Sequence, residues 1–144
     1  MRSNRSSCVA IALVALVVAA TGCASLAPRS RASGPAMTDD GVRFRFFAPS
    51  AHRVQLAGNW PENNWARGDG PSGEADIGLM QDDDNDGVWE IVVPLPPGRY
   101  QYVFWLDEAT WRLDPGNPAE VEAGPARRAC ELIVVERGGG MEVR

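Results

Sequence analysis

Residues 95–107, LPPGRYQYVFWLD, together with residues 111–115, WRLDP, decide the fold of this chain. Pro-Pro-Gly is a turn signal, and the residues after it alternate with a period of two, which is typical of a β-strand. Successive side chains of a strand point to opposite faces of its sheet. One face carries Tyr100, Tyr102, Phe104 and Leu106, and the other carries Arg99, Gln101, Val103 and Trp105. The pattern predicts that the first face fills a core and that the second meets a ligand.

Other segments extend this pattern. Residues 42–46, 54–56 and 89–93 alternate in the same way, and the continuous apolar run at 132–135 indicates a strand covered on both faces. Beyond the first 22 residues, Pro and Gly interrupt nearly every window that a helix would need. Roughly a hundred residues remain, the size of one sandwich domain. We therefore predict an all-β, monomeric domain of two packed antiparallel sheets.

Four further segments, in their order and spacing, resemble a known family. They are VRFRFFAP at 42–49, RVQLAG at 53–58, NNW at 63–65 and DGVWEI at 86–91. Together with the strand at 98–106 they resemble carbohydrate-binding module family 48, a family of glycogen- and starch-binding modules. Its relatives include the N-terminal domains of isoamylases and branching enzymes, and the β subunit of AMP-activated protein kinase. The resemblance implies an immunoglobulin-like early-set β-sandwich that binds an α-glucan without catalysis.

The same resemblance places sugar-contacting tryptophans at Trp65 and Trp111. Glucans present flat arrays of C–H bonds edged by hydroxyls, so a binding face needs exposed aromatic planes with polar groups beside them. The interpretation requires both indoles to lie bare on one side of the domain. The alternative is that one or both cap the edge of the core, where Trp60 and Trp89 are expected to pack.

Two polar positions of the family differ in this chain. The family's lysine that hydrogen-bonds sugar hydroxyls falls on Val103, and its asparagine near the last strand falls on about Glu131. Trp105 shares the predicted face of Val103 and offers another aromatic plane, while Arg99 and Gln101 offer hydrogen-bond donors. These three residues complete the predicted carbohydrate-binding set. A surface of this composition also fits a protein contact, because Trp and Arg are enriched there.

The N-terminus has the form of a targeting signal. Arg2 and Arg5 precede an uncharged apolar run at 9–20, which is shorter than the roughly 20 residues of a membrane-spanning helix. Residues 20–23, ATGC, resemble a bacterial lipobox, which implies cleavage before Cys23 and attachment of a diacylglycerol to its thiol. The protein would then be held at the outer membrane of a bacterial cell envelope. A plain secretory signal, with Cys23 incidental, is the alternative.

These observations divide the chain into four segments. We expect a lipoprotein signal peptide at 1–22, a lipid-anchored flexible linker at 23–38, the glycogen-binding-like sandwich at 39–136 and a flexible tail at 137–144. Within the sandwich, Cys130 is expected to behave as a small hydrophobe on a strand, since no second cysteine remains after processing.

Charge and composition exclude several functions. The net charge is −5 and falls by 2 to −7 when Arg2 and Arg5 leave with the signal peptide, and all 14 basic residues are arginines without a cluster. A nucleic-acid partner is therefore not expected. The chain has one His and offers no catalytic constellation, so we expect no enzyme activity, no cofactor and no resident metal.

An acidic stretch at 82–87, DDDNDG, mimics the opening of an EF-hand loop. Position twelve of that loop would be Val93, where a bidentate glutamate is required. A solvated hairpin turn is favoured over a weak calcium site.

The leading hypothesis is a membrane-anchored, non-catalytic carbohydrate-binding module for an α-glucan. The alternative is an envelope interaction or assembly domain that keeps the fold but has lost glycan binding. An accessory subunit of a glucan-processing enzyme would combine both.

Overall fold

The computed structural model describes residues 34–67 and 76–144. The predicted signal peptide, Cys23 and most of the predicted linker lie outside the described residues. The strands are β1 (Ala36–Thr38), β2 (Gly41–Phe47), β3 (Val54–Gly58), β4 (Val88–Val93), β5 (Gly98–Leu106), β6 (Thr110–Arg112), β7 (Glu120–Val121), β8 (Ala129–Arg137) and β9 (Gly140–Val143). A single 3₁₀-type turn, Asn64–Ala66, follows β3.

The strands form two sheets. The first contains β1, β2 and β4 in that order, and the second has the order β3-β5-β8-β7, with β6 paired to β5 and β9 paired to β8. The named strand pairs of the described residues are antiparallel. Within these residues, no helix is both long enough and apolar enough to span a bilayer. The prediction of an all-β fold with two antiparallel sheets is confirmed.

The core lies between the inner faces of the two sheets. Phe44 of β2 meets Tyr102 of β5 edge to face, with ring centroids 4.9 Å apart. One step further along the same strands, Phe46 packs on Phe104 with centroids 4.4 Å apart. All four rings are buried, as the period-two alternation of these strands predicts. Aromatic pairs of this kind add to the hydrophobic stabilisation that their buried area provides.

Two tryptophans support the core from its ends. Trp60 is buried and stacks on Phe44 with centroids 6.3 Å apart. Trp89 is partly buried against the core, and its Nε1 donates a hydrogen bond of 3.1 Å to the carbonyl oxygen of Ala48. Both residues therefore serve the packing that the sequence predicts for them.

Strand β8 differs from its prediction. Leu132 and Val134 are buried in the core, whereas Ile133 and Val135 are partly exposed. The expectation that this apolar run is covered on both faces is wrong, because only the inner face of β8 packs against the other sheet. An aliphatic side chain on the outer face costs little, since much of any folded surface is apolar.

Both ends of the domain reach further than the sequence suggests. β1 falls inside the segment predicted as linker, and β9 falls inside the segment predicted as a flexible tail. Gly138 and Gly139 form the turn of a β8–β9 hairpin with φ of +60° and +86°. Glycine adopts positive φ readily, so the glycine run turns the chain instead of ending the sheet. Val143 then packs against the core.

A buried polar network closes the core beneath the turn that follows β6. The Tyr102 hydroxyl donates a hydrogen bond of 2.7 Å to Oδ2 of Asp114, whose Oδ1 accepts one of 2.7 Å from the backbone N–H of Gly116. The Asn117 amide donates to the Tyr102 hydroxyl at 3.1 Å. Asp114 is 4% exposed, and burial raises the pKa of its carboxyl group. Cys130 lies beside this network as a fully buried small side chain.

The raised pKa of Asp114 predicts a pH-dependent stability. A folded state that binds a proton more tightly than the unfolded state is stabilised by acid. The contribution is fully present below the unfolded carboxyl pKa of about 3.9 and is lost as pH rises through the folded pKa of Asp114. We expect the free energy of unfolding of the native protein, relative to Asp114→Asn, to fall as pH rises across this window.

Urea unfolding at a series of pH values measures this difference. Asp39→Asn, in the exposed turn between β1 and β2, is the matched control and should follow the native protein. A constant difference between the native protein and Asp114→Asn across the series would contradict the prediction.

Candidate functional site

The outer face of the six-stranded sheet gathers three tryptophans. The alternation of β5 points Trp105 away from the core, and Trp111 of β6 lies directly opposite it in the strand register. Their rings are 5.1 Å apart between centroids and inclined by only 11°. Trp65, from the turn after β3, packs on the same face beside Trp111. We call this surface, formed by Trp65, Trp105 and Trp111, the tryptophan face.

A small apolar floor supports two of these rings. Val103 of β5 is 1% exposed, and it lies opposite Ala57 of β3, which is also buried. Trp65 and Trp111 pack against this pair and remain partly exposed. The structure therefore brings both predicted tryptophans to one side of the molecule. Each ring is partly covered, so neither lies as bare as the sequence interpretation requires.

The nearly coplanar pair is Trp105 with Trp111. The sequence analysis names Trp105 only as a compensating ring. The structure instead places it across the strands from Trp111, where directly opposite side chains are close enough to pack. This pairing was missed because the sequence does not show which residue of β6 lies opposite residue 105.

Trp65 is held by an unusual backbone. Asn64, Trp65 and Ala66 have φ of 43°, 62° and 55°, all in the left-handed region. For residues other than glycine this conformation costs about 1–2 kcal/mol each, although asparagine tolerates it better. The turn therefore needs compensating interactions.

Asn63 provides these interactions from a buried position, with 3% of its surface exposed. Its Oδ1 accepts hydrogen bonds from the backbone N–H of Gly58 at 2.6 Å and of Ala66 at 2.9 Å. Its Nδ2 donates to the carbonyl oxygen of Leu56 at 2.7 Å. The side chain thus ties the turn to β3 and sets where Trp65 begins. The sequence signal for this role is the Asn-Asn-Trp motif, in which the first asparagine acts structurally.

Gly124 contacts Trp65 from the loop that precedes β8. A Cβ built on Gly124 would lie 2.6 Å from Cζ3 of the indole, closer than any side-chain contact allows. Gly124 also has a φ of +67°. The loop therefore approaches the ring through a position that only glycine fits.

The predicted polar residues lie at the other end of the same face. Gln101 of β5 lies opposite Glu131 of β8, and Nη1 of Arg99 donates a hydrogen bond of 2.5 Å to Oε1 of Glu131. At about 3.3 Å per residue, Gln101 is about 13 Å along the strand from Trp105. Val103 lies between them and is buried, so the family's lysine position provides floor and no polar contact in this chain.

Two other features lie apart from the tryptophan face. The carboxylates of Asp82, Asp84 and Asp86 lie within 4.8 Å of one another. Asp82 accepts hydrogen bonds from the backbone N–H of Asp86 and of Gly87, both at 3.1 Å, and so stabilises the hairpin turn. This geometry matches the turn that the sequence analysis favours.

The largest groove, of about 580 Å³, lies on the outer face of the three-stranded sheet. Arg45 and Glu90 form an ion pair of 2.5 Å in its wall. Among the described residues that line it, none is aromatic. The groove therefore lacks the planar surface that a pyranose ring needs, and the tryptophan face is the better candidate despite its shallower shape.

The contact between Gly124 and Trp65 predicts a difference between two glycine substitutions. Gly124→Ala and Gly138→Ala both force alanine into the left-handed region, at a cost of about 1–2 kcal/mol. Gly138 has nothing within 4 Å of the added methyl group, whereas Gly124 meets the indole. We expect Gly124→Ala to lose a further 1–3 kcal/mol or so of unfolding free energy. It should also shift the indole N–H resonance of Trp65.

Urea unfolding and two-dimensional NMR measure the two effects, with Gly138→Ala as the matched control. Equal stability losses with an unchanged Trp65 resonance would contradict the described contact.

Comparison with known proteins places the chain in a family. The model of carbohydrate-binding module 48, the isoamylase N-terminal domain, matches residues 32–116, which is more than half of the chain. A solved structure of a protein proposed to be an alpha amylase, from Salmonella typhimurium, is 23% identical, with a TM-score of 0.43. The match covers 62% of this chain and 13% of that chain. No curated protein matches. The chain belongs to the carbohydrate-binding module 48 family.

Proposed function

We propose that this protein is a non-catalytic glycan-binding module that recognises an α-glucan through the tryptophan face. The observation that carries the proposal is the gathering of Trp65, Trp105 and Trp111 on one outer sheet surface. This surface lies within the segment that matches the carbohydrate-binding family.

The physical basis is the fit between an indole and a pyranose ring. A sugar ring exposes C–H groups on its faces, and these groups pack on aromatic planes while hydroxyls point outward to polar partners. The β-ladder holds Trp105 and Trp111 across from one another, and the Asn63 hydrogen bonds hold the turn that carries Trp65. A surface fixed before the ligand arrives loses little conformational entropy on binding.

Glycan titration tests the proposal. Adding glycogen, amylose or cyclodextrin to the soluble domain should change tryptophan fluorescence, because the rings leave water as they contact sugar. We expect Trp65→Ala and Trp111→Ala each to weaken binding about tenfold or more, which corresponds to about 1.4 kcal/mol.

Trp89→Phe is the control for the titration, because Trp89 belongs to the other sheet. It should bind as the native protein does. Absence of any response in the native protein, with both alanine variants unchanged, would reject the proposal. The same result would favour the second candidate, a protein-interaction surface, which the buried valine at the family's lysine position supports.

The cellular location is a separate part of the proposal. We propose that Cys23 is lipidated and anchors the module to the bacterial envelope, at the outer membrane, through the segment that precedes β1. The support is the ATGC sequence at 20–23 after an apolar run.

Metabolic labelling of cells with a palmitate analogue tests the anchor. We expect label on the full-length protein and its recovery with membranes, and we expect Cys23→Ser to lose both because the acceptor thiol is gone. Cys130→Ser is the matched control and should keep the label. An unlabelled native protein found free of membranes would support plain secretion instead.

A further inference from the structure

The tryptophan face continues into a polar patch that it does not contact directly. This patch, formed by Arg99, Gln101 and Glu131, occupies the first half of β5 and the neighbouring part of β8. Gln101 and Glu131 are direct neighbours in the register, and the Arg99 guanidinium pairs with the Glu131 carboxylate at 2.5 Å. We call these three residues the polar patch.

The backbone under the polar patch is fixed on both sides. The Asn59 backbone N–H donates to the Gln101 carbonyl oxygen at 3.0 Å, and Oδ1 of Asn59 accepts from the Gln101 N–H at 2.9 Å. On the other side, the Asn117 amide donates to the carbonyl oxygen of Glu131 at 2.8 Å. The Glu131 N–H also donates to the carbonyl oxygen of Ala119 at 2.6 Å. The patch is therefore rigid in its backbone, as a preorganised contact surface requires.

The chemistry of the patch suits sugar hydroxyls. Arg99 has a side chain that is 62% exposed, and a guanidinium carries five N–H donors in a planar fork. The carboxylate of Glu131 accepts hydrogen bonds beside it. Neighbouring hydroxyls on a sugar both donate and accept, so a fixed donor next to a fixed acceptor can satisfy two of them together. The patch carries no net charge, which favours a neutral ligand over an anionic one.

The spacing sets the size of the ligand. From Arg99 to Trp105 the strand runs about 20 Å, at about 3.3 Å per residue. Between them, Val103 is buried and offers no polar group. A single sugar ring is too small to contact both the tryptophans and the polar patch. Several rings joined in a line would reach both.

From this arrangement we propose that the polar patch is a second subsite of the same glycan-binding surface. The ligand is a linear, neutral oligosaccharide that lies along β5, with one end on the tryptophan face and the other on Arg99 and Glu131. This inference rests on the proposed function. It adds that binding depends on chain length, and that Arg99 and Glu131 determine this dependence.

Calorimetry with maltose and maltoheptaose tests the inference. We expect the native protein to bind maltoheptaose at least about tenfold more tightly than maltose, a difference of about 1.4 kcal/mol. Arg99→Ala and Glu131→Gln should remove most of this difference by weakening the heptasaccharide alone. Affinity for maltose, which reaches only the tryptophan face, should stay within about twofold.

The control is Arg137→Ala. Arg137 has a side chain that is 64% exposed, and it pairs with Glu142 at 3.4 Å at the far end of β8. It should leave both affinities unchanged. Backbone NMR gives a second readout, in which maltoheptaose but not maltose shifts the amide resonances of Gln101 and Glu131.

The outcomes separate the two proposals. If neither maltoheptaose nor maltose binds the native protein, the proposed α-glucan function fails and the chain-length inference fails with it. If the native protein binds both sugars equally, or if Arg99→Ala leaves the heptasaccharide affinity unchanged, only the inference is overturned. Equal weakening of both sugars by Arg99→Ala would place Arg99 at the tryptophan face and would also overturn it.

Discussion

The rest of the structure depends on the hydrogen-bonded position of β5 in the six-stranded sheet. This strand pairs with β3, β6 and β8, so its backbone is fixed along most of its length. Because side chains alternate along a fixed strand, one element supplies the centre of the core through Tyr102 and Phe104 and the candidate site through Trp105. A shift of one residue in its register would exchange these two faces and destroy both.

The second structural requirement is local and lies in the turn after β3. Three consecutive residues there adopt left-handed backbone, a conformation that is unfavourable for most side chains. Asn63 offsets this cost with three hydrogen bonds to backbone groups, each contributing about 1 kcal/mol. Strain of this kind is often found where a protein must hold a functional group in one place. Here the group is the Trp65 indole.

Much of this could be predicted from the sequence, and the reason is periodicity. Alternation in β2 and β5 predicts which side chains face the core, and the same alternation places Arg99, Gln101 and Trp105 on one face. The partner of Trp105 could not be predicted, because register between strands depends on the turns that join them. Contacts made by a backbone position, such as Gly124, leave no periodic signal. The glycine run at 138–140 was misinterpreted as a tail, since glycine permits both a loose end and a tight turn.

The close approach of Gly124 to the Trp65 ring also has a consequence for how related sequences can diverge. Any side chain at position 124 would occupy space that the indole now fills, so a larger residue there is tolerated only if position 65 becomes smaller. Changes at these two positions are therefore expected to occur together during evolution, although they are far apart along the chain. A lineage that gives up the glycine would give up the tryptophan with it.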